Sequence, residues 1–107
     1  IALFGGMNVP AYAATKGGIT QLTKSMCNDL GKYGIRVNAI GPGWVKTEMT
    51  SALQGNKERY DAISSRIPLT RWAIPEDLAG LAVFLASDAS AYITGQVIFI
   101  DGGYSSM

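Results

Sequence analysis

The sequence contains no histidine, a single cysteine and few charges, and each scarcity removes a kind of chemistry. Without histidine, Ser–His–Asp triads, Cys–His dyads and histidine-based zinc sites are excluded within these 107 residues. Proton transfer near neutral pH must then use another group with a displaced pKa. Cys27 has no second cysteine with which to form an internal disulfide, and such usage points to a cytoplasmic protein. The net charge is +1 with no basic or acidic run, so nucleic acid is not an expected partner. No apolar stretch reaches the length of a bilayer span and no secretory leader pattern opens the chain, so no membrane role is expected.

What is abundant is apolar: 48% of residues are hydrophobic against 16% charged. A chain this short has a high surface-to-volume ratio and struggles to hide so much apolar surface alone. Further sequence, a partner subunit or both are expected. The "IALF" opening on Ile1, rather than on methionine, reads as the interior of a longer protein.

The pattern along the chain is that of an α/β domain. "IALFGG" reads as the tail of a buried strand entering a glycine loop. A helix follows from about Ala11 to Lys32, with Ile19, Leu22, Met26 and Leu30 as its apolar stripe. Ala13, Ala14, Gly17 and Gly18 give it a second, flat surface suited to close packing. Gly31 and Gly34 bracket its stop. "IRVNAI", from Ile35 to Ile40, predicts a strand ended by "GPG". Thr47 or Thr50 suits a helix cap, and a polar helix is expected over Asn56 to Arg66. Pro75, Glu76 and Asp77 start a further helix with Leu78, Leu81 and Leu85 at core spacing, its opposite side also apolar. "GQVIFIDGG" closes with a buried parallel strand and a glycine turn. The sum is the later portion of a doubly wound α/β sheet.

Within that frame, "VPAYAATKGG" sets Tyr12 and Lys16 four residues apart on a bare background of alanine and glycine. On a helix the two project from one face. A free phenol, with a pKa near 10, is a poor acid or base at neutral pH. An ammonium about 4 Å away, at an effective dielectric near 20, contributes about 4 kcal/mol, or roughly three pKa units. Desolvation of both groups opposes the shift, so this is an upper-end figure. A phenol near 7 is well placed for general acid/base work. Taken alone the pair is also what a solvated helix face yields, since such a spacing arises by chance about 0.2 times in a chain of this composition.

The pair is accompanied by "VNAIGPGWVKTEM". A strand ending in Gly-Pro-Gly lies at the carboxyl edge of a sheet, where open α/β folds bind ligands. Gly41 and Gly43 let backbone amides approach a ligand, Pro42 stiffens the bend, and Thr47 offers a hydroxyl near a helix start. An ordinary strand-to-helix turn is the alternative. "IDGG" is accounted for by a structural turn.

Together these segments resemble the short-chain dehydrogenase/reductase family over essentially the whole chain. "YAATK" looks like its Tyr-x-x-x-Lys motif, and "VNAIGPGWVKT" is similar to its Pro-Gly segment over the nicotinamide. "RWAIPEDLAGLAVFLASDASAYITGQVIFIDGG" resembles its C-terminal helix and last strand. The resemblance implies that residues 1–107 are the C-terminal portion of a single Rossmann-like oxidoreductase domain, without the N-terminal dinucleotide-binding half. It implies NAD or NADP as cofactor, a small carbonyl or alcohol substrate, and a homo-oligomer, dimer or tetramer. Tyr12 would exchange a proton with the substrate oxygen, and Lys16 would lower its pKa and hold the nicotinamide ribose. Pro42, Gly43 and Val45 would bracket the nicotinamide, and Thr47 would bind its carboxamide or the pyrophosphate. Trp44 and Met49 would line the substrate side, or pack as loop hydrophobes. "GGMNVPAYAATK" and "RIPLTRW" lean toward gluconate or sugar-acid dehydrogenases, with 3-oxoacyl-carrier-protein reductases next. The family's active-site serine would fall before Ile1, so these residues alone are expected to be inactive; a subunit-association role or ligand binding without turnover are the other readings.

Overall fold

The computed structural model describes residues 9–106, with side chains from Lys16 onward. The expected strand at "IALFGG" and the side chains of Tyr12, Ala13 and Ala14 lie outside the described residues. Helix α1 spans Val9–Leu30 and β1 Ala39–Pro42. Three helices follow, α2 Ser51–Gly55, α3 Lys57–Ser65 and α4 Glu76–Ala86, and then β2 Val97–Ile100. The strands form one two-stranded sheet. Ala39 N donates to Gln96 O at 2.8 Å and Gly43 N to Ile100 O at 2.9 Å, so both partners advance by four and the pairing is parallel. By contacts the chain divides into two compact units, one of residues up to Ile40 with Ala82–Ile98, the other of Gly41–Leu81 with residues from Phe99 on. Among the described residues no helix is long and apolar enough to cross a membrane.

Helix α1 passes through a single 3-10 turn and stops where Gly34 adopts φ 76°, returning its N–H to Gly31 O. That left-handed conformation favours glycine. The least exposed face of α1 is set off from the apolar stripe and shares Leu30 with it. Ile19, Leu22 and Met26 are 48%, 59% and 40% exposed, whereas Thr23 is buried. Thr20, Thr23, Cys27 and Leu30, also at helical spacing, form the less exposed face. It tolerates hydroxyls because each bonds within its own turn, Thr20 Oγ1 to Lys16 O at 3.0 Å and Thr23 Oγ1 to Ile19 O at 2.7 Å. Cys27 Sγ accepts from Thr94 Oγ1 at 3.2 Å. The small surface at Gly17 and Gly18 has nothing within 4 Å of a hypothetical Cβ among the described residues.

The strand expected over Ile35 to Ile40 begins later, at Ala39, and continues through Pro42. Side chains explain the late start. Val37 N donates to Thr94 Oγ1, while Asn38 donates from Nδ2 to Ile93 O and accepts from Gln96 N. These bonds, with a backbone bond from Gly95 N to Val37 O at 2.7 Å, stand in for a regular ladder ahead of Ala39. Arg36 adds a guanidinium bonded to Ser90 Oγ at 2.9 Å and Ser87 O at 3.2 Å, just past α4. Proline is accepted inside β1 because residues 39 and 43 are the ones that donate to β2. The alternation of the strand leaves position 42 without a ladder N–H to supply.

In the second unit the core centres on Trp72 and Ile67, 1% and 2% exposed. Tyr60 stacks on Trp72 at 5.0 Å, and Trp44 meets it at 5.4 Å. Asn56 caps α3, its side chain accepting from Arg59 N. At the start of α4, Asp77 accepts from Ile74 N at 2.9 Å and forms a two-bond pair with Arg71 at 2.8 and 3.2 Å. The guanidinium and the backbone N–H hold the Asp77 carboxyl down to about 2. Leu78, Leu81 and Leu85 are the half-buried side of α4 as expected, and Val83 on its other side is 69% exposed. After β2 the "DGG" segment is a turn: Asp101 accepts from Gly103 N and Ser105 N, and Gly102 and Gly103 adopt φ 62° and 91°.

Candidate functional site

Six of the eight candidate residues follow one another at the carboxyl end of β1: Pro42, Gly43, Trp44, Val45, Thr47 and Met49. The segment is tied down from one side by the stretch after Trp72. Ala73 N donates to Trp44 O and Lys46 N to Ala73 O, each at 2.9 Å, making an isolated parallel bridge between Val45 and Ala73. The two glycines are pressed against β2. A Cβ on Gly41 would lie 2.5 Å from the Phe99 ring, and one on Gly43 2.7 Å from Asp101 Cβ. Close packing on β2 therefore requires glycine at both, and the Gly43 amide donates to Ile100 O.

From the other side the segment is held by hydroxyls and an amide. A 3-10 turn, Glu48–Thr50, leads into α2, with Thr50 at its third position so that its side chain reaches back to the Thr47 amide. Thr50 Oγ1 accepts from Thr47 N at 3.0 Å and donates to Val45 O at 2.8 Å. Gln54 Nε2 reaches Thr50 Oγ1 at 2.9 Å and Thr47 O at 3.2 Å. The Thr50 amide goes to Thr47 O at 3.1 Å. Thr47 Oγ1 is left shut off from solvent with no hydrogen-bond partner among the described residues. An unpaired buried hydroxyl costs about 1–3 kcal/mol unless something outside the fold bonds to it.

The sequence pointed to Thr47 but missed Gln54 and the use of the Thr50 hydroxyl. The signal was present as spacing, Thr47 to Thr50 to Gln54 at three and four residues along a helical turn. Trp44 is packed on one side and open on another. Its ring packs on Trp72 and edge-on against Tyr104 at 6.4 Å, and it also lines an open cleft of about 190 Å³ with Leu69, Arg71 and Asp101. Met49 is 61% exposed. Tyr12 and Lys16 both fall within α1, one turn apart on one helix face. Lys16 is half-buried; the Tyr12 side chain lies outside the described residues.

A hydroxyl wanting a polar partner, on a rigid loop at the carboxyl end of a parallel strand, suits an amide or phosphate ligand. Known proteins carry the same chain pattern. Residues 2–105 match the family described as Enoyl-(Acyl carrier protein) reductase. Over 100 residues the chain is 49% identical to the 2-dehydro-3-deoxy-D-gluconate 5-dehydrogenase of Pseudoalteromonas atlantica, covering 94% of this chain and 39% of that protein. It is similar to the structure of a gluconate 5-dehydrogenase from Burkholderia cenocepacia in complex with NADP and tartrate. There the TM-score is 0.87 at 40% identity, over 99% of this chain and 42% of that one. A 4-hydroxyisoleucine dehydrogenase complexed with NADH gives 0.88 at 37% identity, over 99% and 44%. The chain thus spans about two fifths of the length of these relatives, and its α/β fold with a parallel sheet is that of Rossmann-type dehydrogenases. It belongs to the short-chain dehydrogenase/reductase family.

Proposed function

We propose that this chain is part of an NAD(P)-dependent oxidoreductase that interconverts a secondary alcohol and a ketone, with a sugar acid such as gluconate as substrate. In this reading residues 1–107 are the C-terminal portion of one Rossmann-like domain, and the whole protein is a cytoplasmic homo-oligomer. The observation that carries it is the buried, unpaired hydroxyl of Thr47, on the loop that in this family bears the nicotinamide contacts. A carboxamide offers both a donor and an acceptor to such a hydroxyl, so the residues present fit a nicotinamide cofactor. Pro42, Gly43 and Val45 complete that edge of the site. The likeness to sugar-acid dehydrogenases supports the substrate class, and NADP in one neighbour and NADH in another support either cofactor.

When bound, the nicotinamide takes or gives the hydride. Tyr12 acts as general acid/base, donating its phenol proton to the carbonyl oxygen in reduction and accepting the hydroxyl proton in oxidation. Lys16, one helical turn away, stabilises the phenolate by its charge and holds the nicotinamide ribose. Trp44 and Met49 face the substrate, Trp44 from a position fixed by Trp72. A second reading is a 3-oxoacyl-carrier-protein reductase, and the description of the matching family also names a reductase of carrier-protein substrates. Absorbance of NAD(P)H formed or consumed by the full-length protein decides between them. Turnover with gluconate-type acids is the expected result; turnover with 3-oxoacyl thioesters alone selects the second reading, and none with either points to a non-catalytic association role.

A further inference from the structure

Thr50 Oγ1 has its whole hydrogen-bonding capacity engaged. A hydroxyl has one proton and two acceptor sites. The proton goes to Val45 O at 2.8 Å, and the acceptor sites take Thr47 N at 3.0 Å and Gln54 Nε2 at 2.9 Å. The second hydrogen of the Gln54 amide serves Thr47 O at 3.2 Å. Two side chains therefore fix the carbonyl of Val45 and both the N–H and the carbonyl of Thr47. Capping the 3-10 turn requires only the bond to Thr47 N. The remaining three bonds do more than cap: they hold the backbone on either side of Lys46.

The contrast within one network is informative. Thr50 and Gln54 satisfy one another and the backbone, while Thr47 Oγ1, at the start of the same turn and closed to solvent, has no partner among the described residues. Were the turn loose, Thr47 could relax toward a carbonyl and recover its lost bond. We infer that Thr50 and Gln54 are positioning residues, whose bonds hold the Val45–Thr47 backbone so that the Thr47 hydroxyl stays turned toward the nicotinamide end of the cofactor. The inference rests on the nucleotide reading given above. It identifies what pre-organises that contact, and pre-organisation of this kind is realised as affinity for the group contacted.

The test uses the full-length protein and two probes, the dinucleotide and the matching ADP-ribose, which keeps everything but the nicotinamide. Dissociation constants from calorimetry are compared for the unsubstituted protein, Thr50→Val and Gln54→Leu. Each substitution is expected to weaken the dinucleotide about tenfold and raise its KM without a matching fall in kcat, with ADP-ribose affinity unchanged. Thr50→Ser, which keeps the hydroxyl, restores the original values. The inference is overturned if the ratio of the two affinities does not change, whether both probes weaken together or neither does. An unsubstituted protein that binds neither probe overturns the nucleotide reading itself and this inference with it. Should Thr50→Val fail to fold, Gln54→Leu, at a half-buried side chain, decides alone.

Discussion

The segments before and after β1 are held in opposite ways. Ahead of the strand the polar groups are matched. Arg36 meets Ser90 Oγ and the carbonyls of Ser87 and Ile93, Asn38 uses both ends of its amide, and Val37 has both backbone groups bonded. After the strand, Thr50 and Gln54 saturate the backbone around Thr47 yet leave its hydroxyl buried and unpaired. Both segments are well ordered by bonds, so order alone does not mark a functional site. The difference lies in what is left over. A matched network stabilises the fold and is complete; a buried hydroxyl left unmatched among the described residues opposes stability unless something beyond them bonds to it.

Substitutions should therefore separate the two. The largest expected effect lies on α1 and tests what the second segment serves. Tyr12→Phe in the full-length protein should lower kcat by about 10²–10⁴, the usual contribution of a positioned acid/base, while cofactor affinity stays within about twofold. Steady-state kinetics beside calorimetry read both, and wild-type-like turnover would refute the acid/base role. Next in size, Arg36→Met should cost about 2–3 kcal/mol of stability in denaturant unfolding, because it removes charge-assisted bonds to three acceptors. The KM for the cofactor should not move. A raised KM with unchanged stability would erase the distinction between the segments.

The smallest effect concerns acid. Asp77 is held down to about 2 by Arg71 and by the Ile74 N–H, below its ordinary value near 4. A folded-state pKa lower than the unfolded one adds stability above the unfolded value, and that stability is lost as pH falls from about 4 toward 2. Asp77→Asn should flatten the fall of the melting temperature over that window and leave it unchanged in shape near neutrality. An unaltered acid limb would show that the Arg71–Asp77 pair does not couple to unfolding. The pair is on the surface, so a small effect is expected.

The sequence made legible the features written in local chemistry. Gly34 stops α1, Asn56 caps α3, and Glu76 and Asp77 open α4 where composition placed them. It misplaced what depends on partners far along the chain. The β-branched run from Ile35 reads as strand, but Thr94 and Gln96 take its first residues into side-chain bonds. The apolar stripe of α1 is plain in the sequence, but the less exposed face beside it carries threonines that satisfy themselves within their own turns. At the site, motif spacing found Thr47, whereas its supports look like ordinary polar residues of a helix start. Nothing local distinguishes Gly43 as a ligand-facing glycine from Gly43 as a glycine pressed on Asp101; only the pairing with β2 does.

The central claim is that the Thr47 hydroxyl is kept for a ligand. Calorimetric titration of the full-length protein with the dinucleotide, with and without Thr47→Val, tests it most directly when paired with unfolding by denaturant. A methyl in place of an unpaired hydroxyl should leave stability unchanged or raise it by up to about 1 kcal/mol, while dinucleotide affinity falls about tenfold. Unchanged affinity together with a clear loss of stability would contradict the claim, because the hydroxyl would then belong to the fold.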